Sequence, residues 1–133
     1  MKKPIFVSGA EAAAMIRDNS TVATIGMTLV SASETILKAV EKRFLETGSP
    51  RHLTLVHSCG QSDRDRGIQH FAHEQMLSRI IGGHWGLQPR MMKLIAENKI
   101  LAYCIPQGQF AQLYRSMAGG EPGKITKVGL GTF

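Results

Sequence analysis

Short β-branched runs alternate with capped helical patterns along most of this chain, and few folds accept that alternation. The first helix signal is Ser8-Gly-Ala-Glu11, a capping box in which the Ser hydroxyl accepts from a backbone N–H and the Glu reaches back. Residues 21–25 (TVATI) are β-branched and apolar and read as a buried strand closed by Gly26. A second capping pattern, Ser31-Ala-Ser-Glu34, opens a longer helix with Ile36, Leu37, Val40, Phe44 and Leu45 on one apolar face. Gly48 takes the C′ place and Pro50 prevents continuation. Residues 53–57 (LTLVH) form the second strand, and a polar turn follows it. Residues 68–77 hold a short helix, with Phe71 and Met76 as core candidates. Residues 79–81 make a short strand, Pro89 starts a helix that brings Met91, Met92, Leu94 and Ile95, and 100–105 is the next strand. A helix over 109–117 and a last strand over 125–130 complete the series. This order predicts an α/β fold: one domain, 1–133, built as a three-layer α/β/α open, mostly parallel sheet with helices on both faces.

Composition narrows the function classes. No apolar run approaches the ~18 residues of a membrane span. Two lysines at the start lack a following apolar region, which argues against a signal peptide and for a cytoplasmic location. In a reducing compartment Cys59 and Cys104 are expected as free, buried thiols. The net charge of +6 would suit nucleic acid. The basic residues are scattered, however, and few aromatics are available for stacking, so a phosphate-bearing ligand or an acidic partner chain fits better. The sequence ends on an apolar run and Phe133, which suits either a short domain with its last strand at an edge or one half of something longer.

Chemistry is expected at the strand ends. In parallel sheets, ligands sit outside the carboxyl ends of the strands. Two apolar runs end in glycine-bearing turns there: Gly82-Gly83-His84-Trp85-Gly86, and Pro106-Gln107-Gly108. Glycines let a backbone approach a ligand, or let a turn pack tightly with its Trp against a neighbour; both readings stand. A neutral amide at Gln107 could donate to a carbonyl oxygen that gains charge in a transition state. His70, His73 and Glu74 share a helical face, but no HExxH or CxxC motif accompanies them, and hydrogen-bonded histidines are favoured over a metal site. The loop Asp63-Arg-Asp65-Arg66 is either an active-site loop or a solvated turn with internal ion pairs. Gly129-Leu-Gly131 lacks the third glycine of a dinucleotide fingerprint.

The runs SPRHLTLVHSCGQSDRDRG (49–67), HFAHE (70–74), GGHWG (82–86), ENKILAYCIPQG (97–108) and KVGLGTF (127–133) together resemble the N-terminal, α-type half of acetate/propionate-type CoA-transferases, the glutamate-dependent family that moves CoA between carboxylic acids. The resemblance implies a cytoplasmic, oligomeric enzyme of short-chain fatty acid and ketoacid metabolism. It implies a CoA thioester as substrate, no bound cofactor or metal, and a carboxylic acid such as acetate as acceptor. It implies a C-terminal, β-type half as partner, because the nucleophilic glutamate lies there and none of this chain's glutamates matches it. By itself the chain is then inactive. Gln107 is implied as the oxyanion donor, with Gly26, Met27, Gly60, His84, Trp85 and Gly108 around the substrate. Family members carry a glycine-rich turn after the first strand, where this chain has Met27-Thr28-Leu29-Val30-Ser31. That departure motivates the alternative of a catalytically inactive domain that oligomerises or binds a partner.

Overall fold

The computed structural model describes residues 4–132; the N-terminal lysines and Phe133, on which two of the expectations rest, lie outside them. Helix α1 (Gly9–Ala14) starts on the expected box: the Ser8 hydroxyl accepts from the Glu11 N–H, and the Glu11 carboxylate accepts from the Ser8 N–H at 2.7 Å. Strand β1 (Thr21–Thr24) follows, then α2 (Glu34–Thr47) and β2 (Leu53–His57). A 3₁₀ helix (Gly67–Phe71) leads to β3 (Leu77–Gly82), α3 (Pro89–Ala96), β4 (Leu101–Cys104) and α4 (Gln107–Ala118). Gly48 ends α2 in the left-handed region (φ 71°), and Pro89 stands at the start of α3.

The strands pair in parallel in the order β1-β2-β3-β4. That order decides the layering. Consecutive parallel strands laid down in one direction, with right-handed crossovers, carry every connecting helix to the same side of the sheet. The core lies there: Leu53, Leu55 and Ile80 meet Leu37 and Val40 of α2, Phe71 of the 3₁₀ helix and Met91 of α3, all nearly inaccessible to solvent. The α/β class and the parallel sheet are as expected.

Three local expectations are corrected. The helix after β1 takes Ser33, not Ser31, as N-cap, and no side chain caps it. Glu34 is drawn away from its capping role: it accepts from the Gly67 N–H at 3.0 Å and contacts His70 at 2.8 Å. Residues 125–130 form no strand. Ile125, Val128 and Leu130 are exposed, Gly129 and Gly131 take positive φ, and no neighbouring strand pairs with the run. Exposure also removes Leu45, Met92 and Cys104 from the expected interior, while Cys59 is half-buried; both thiols are free. Among the described residues, no helix is long and apolar enough to cross a membrane.

Candidate active site

Parallel pairing brings the carboxyl ends of all four strands to one edge, and the turns that follow are laced to each other there. After β1, the Gly26 carbonyl accepts from the Cys59 thiol at 2.7 Å, and the Thr28 N–H donates to the Gly60 carbonyl at 2.8 Å. A side chain at Gly26 would press on the Val30 carbonyl at 2.8 Å, and its φ of 138° also requires glycine. The turn that lacks the family's glycines keeps a glycine-like backbone: Met27 and Val30 bridge, while Thr28 and Ser31 sit at φ 52° and 62°. A β-branched residue held there is strained by about 1–2 kcal/mol. Burial pushes the Cys59 thiol above its ordinary value, so it is a hydrogen-bonding strut and not a thiolate nucleophile.

The turn after β3 is built around His57, the last residue of β2. His57 is inaccessible to solvent, and its Nδ1–H donates to the Cys59 carbonyl at 2.7 Å. Its ring meets Trp85 edge-on at 5.3 Å. A Cβ at Gly82 would overlap His57 Nε2 and come within 2.7 Å of Trp85; a Cβ at Gly83 would overlap the Ser58 carbonyl oxygen. The space beside Gly82 and Gly83 is therefore filled by protein, and of the two readings of the turn the packed one holds for these two glycines. Trp85 is half-buried against the core. Burial holds His57 below the ordinary histidine range, against a smaller upward pull from the Cys59 carbonyl bond, which keeps the ring neutral. Its Nε2 has no hydrogen-bond partner among the described residues.

His84 differs from Trp85: it is exposed, with Nδ1 accepting from the Gly86 N–H at 2.8 Å. Gly60 is buried, and a side chain there would meet Leu87 and Gln88 at 3.3–3.4 Å, so it joins the β2 turn to the β3 turn.

The turn after β4 is open. The Ile105 N–H donates to the Gly82 carbonyl at 2.9 Å, which sets the two strand ends side by side. Gln107 is the first residue of α4, not the end of a strand, and is exposed along with Gly108. A Cβ on Gly108 would meet no atom within 4 Å. The helix has Pro106 as N-cap and no side-chain cap; the Gln109 N–H already donates to the Pro106 carbonyl at 2.8 Å, so only the N–H groups of Gln107 and Gly108 stand at the end without a cap. An amide side chain beside uncapped N–H groups is the arrangement that stabilises a developing oxyanion.

Two charged clusters follow β2 in the chain. Asp63 accepts from the Asp65 and Arg66 N–H groups and pairs with Arg66 at 2.7 Å; hydrogen bonds to Arg66 and the guanidinium charge lower its carboxyl to about 2. The loop is the internally paired turn. His70, nearly buried, bridges Glu34 and Glu41, and His73 Nε2 meets Glu41 at 2.6 Å. Burial pushes Glu34 and Glu41 up, but the histidine hydrogen bonds, the Gly67 N–H bond to Glu34 and the nearby positive charges together outweigh it, and both carboxyls end below the ordinary value. Glu74 is elsewhere, paired with Lys99 at 3.1 Å. Among the described residues no group of three such side chains is placed to hold a metal.

No family model matches the chain. Its sequence is 39% identical over 129 residues to the caffeate CoA-transferase of Acetobacterium woodii, covering 96% of this chain and 25% of that protein. It is 36% identical over 129 residues to the acetate CoA-transferase YdiF of Escherichia coli K12, covering 96% and 24%. The crystal structure of the acyl-CoA transferase YdiF apoenzyme from Escherichia coli O157:H7 superposes with a TM-score of 0.90 at 35% identity, covering all of this chain and 27% of that one. A thioester complex of the same enzyme with CoA gives 0.89 at 37%. The fold is thus that of a segment of CoA-transferases, matched along nearly the whole of this chain. It spans about a quarter of the length of the curated relatives it matches.

Proposed function

We propose that this chain supplies part of the N-terminal, α-type portion of a CoA-transferase that exchanges CoA between a short-chain acyl-CoA and a carboxylate such as acetate. The observation that carries the reading is the match to acetate and caffeate CoA-transferases along 96% of the chain. The partner is a C-terminal, β-type portion bearing the nucleophilic glutamate. That carboxylate attacks the thioester carbonyl; the C–S bond breaks and CoA leaves as thiolate, giving an acyl-glutamyl anhydride. The thiolate attacks the glutamyl carbonyl, the acyl carboxylate leaves, and a glutamyl-CoA thioester remains. A second carboxylate runs the steps in reverse. This is covalent catalysis by a carboxylate.

Gln107 and the amino end of α4 serve the tetrahedral intermediates, where negative charge gathers on the carbonyl oxygen. Donors already in place need no reorganisation at that moment. His84, exposed at the neighbouring strand end, borders the substrate; the Gly26–Met27 and Gly60 turns, tied to each other, support the same edge. Assembly as a homo- or hetero-oligomer and use of propionate belong to this reading.

A covalent chimera tests it: this chain replaces the matching segment of Escherichia coli YdiF, and exchange between acetyl-CoA and propionate is assayed. The expected result is steady-state exchange above a Gln107→Ala chimera. A folded chimera without exchange overturns the reading.

A further inference from the structure

The turn after β3 fixes one side chain that its packing does not use. His84 is exposed, and an exposed histidine ordinarily keeps its rotamers and both tautomers. Here three contacts remove that freedom. Nδ1 accepts from the Gly86 N–H at 2.8 Å. Gly86 lacks the Cβ that would come within 2.6 Å of the ring's Cε1, so the ring lies against the backbone there. Gln88 is inaccessible to solvent, and its side-chain amide, oriented by its hydrogen bonds, donates to the carbonyls of His84 at 2.9 Å and Trp85 at 3.1 Å. The Gln88 backbone N–H donates to the same Trp85 carbonyl at 2.8 Å.

The chemistry of the ring follows from these bonds. An Nδ1 that accepts carries no hydrogen, so the ring's hydrogen sits on Nε2. Taking up a second proton would break the Gly86 bond, which favours a donor over a general base. No group among the described residues pairs with Nε2. The position matters as well. The Ile105 N–H donates to the Gly82 carbonyl, and His84 and Gln107 each stand two residues beyond that bond, both exposed, on adjoining strand ends.

We infer that His84 is a second hydrogen-bond donor of the candidate active site, giving its Nε2–H to a substrate oxygen that carries negative charge, and that Gln88 is the residue that positions it. The inference rests on the transferase reading and gives the turn after β3 a chemical part in it. Transfer between a thioester and a carboxylate offers two such oxygens, the tetrahedral oxyanion and the bound carboxylate. A donor locked in advance serves either without reorganisation.

The tautomer is tested on this chain by long-range 1H–15N correlation at about pH 8.5, above the ordinary histidine range, with the signal assigned by its loss in His84→Gln. The expected result is a single Nε2–H form, and a mixture of tautomers in Gln88→Met. A mixture in the native chain, or an Nδ1–H form, overturns the inference. The donor is tested in the YdiF chimera. His84→Phe keeps a ring without the N–H and is expected to lower kcat/KM roughly 10–100-fold, the loss of one hydrogen bond to a charged oxygen. His84→Gln, which offers an N–H near the place of Nε2, is expected to recover most of it. A fall in kcat assigns the bond to the oxyanion, and a rise in the KM for propionate assigns it to the carboxylate. A purely structural ring would favour Phe over Gln, and a Phe variant as active as the parent or as the Gln variant overturns the donor. A dead parent chimera removes the transferase reading, whereas an active one indifferent to His84→Phe removes only this inference.

Discussion

The turn after β3 and the turn after β4 share a sheet edge and look alike in sequence, yet they are built on opposite principles. Around Gly82 and Gly83 every available volume is filled: His57, Trp85 and the Ser58 carbonyl occupy the places where side chains would go. Around Gln107 and Gly108 nothing intrudes, and the amino end of α4 is uncapped. The first turn is closed by its own packing, and the second is left open. A glycine next to a polar residue is thus ambiguous until its missing Cβ is placed.

The contrast can be broken at several points. The largest effect is expected in the open turn, on rate: Gln107→Ala in the YdiF chimera lowers kcat about 10²–10³-fold, the usual cost of one oxyanion donor, with melting temperature unchanged. Loss of stability without loss of kcat would move Gln107 into the packed class. Next comes the packed turn, on stability. Gly83→Ala forces a methyl into the Ser58 carbonyl and is expected to cost about 2–3 kcal/mol in urea unfolding of this chain. An unchanged midpoint would mean the turn yields easily.

A smaller effect sharpens the role of His57. Its folded value lies below the ordinary 6.5 because burial penalises the charged ring. Above 6.5 both folded and unfolded states are neutral at this residue and nothing is lost. As pH falls below 6.5, the unfolded chain takes up a proton that the folded chain refuses, so stability declines until the folded value is passed. His57→Gln, which can still donate to the Cys59 carbonyl, should flatten that part of the stability–pH curve. An identical slope in the variant would contradict the buried, neutral ring. The smallest change is Gly108→Ala, expected to raise stability by up to about 1 kcal/mol, since the site is helical and empty.

What was legible in the sequence was what local forces decide. The Ser8–Glu11 box, the Gly48 stop, Pro89 and the apolar runs of β1 to β4 each follow from a few adjacent residues. What was not legible depended on distant partners. Glu34 leaves its capping place for His70, 36 residues away, and His70 and His73 find Glu41 on α2. Ile125 to Leu130 alternates like a strand, but a strand also needs a neighbour, and none pairs with it. At the candidate site, Gln107 and His84 were marked by their place after strands. His57 was overlooked because it ends an apolar run; the signal available was a polar residue at a strand's carboxyl end two residues before Cys59.

The measurement that bears most directly on the central claim, that these strand-end turns serve CoA transfer, is the intact mass of the YdiF chimera after incubation with acetyl-CoA. The account predicts a covalent CoA thioester on the chimera that a carboxylate such as acetate discharges, and less of it in the Gln107→Ala form. A folded chimera that binds acetyl-CoA but never gains the mass of CoA would contradict it.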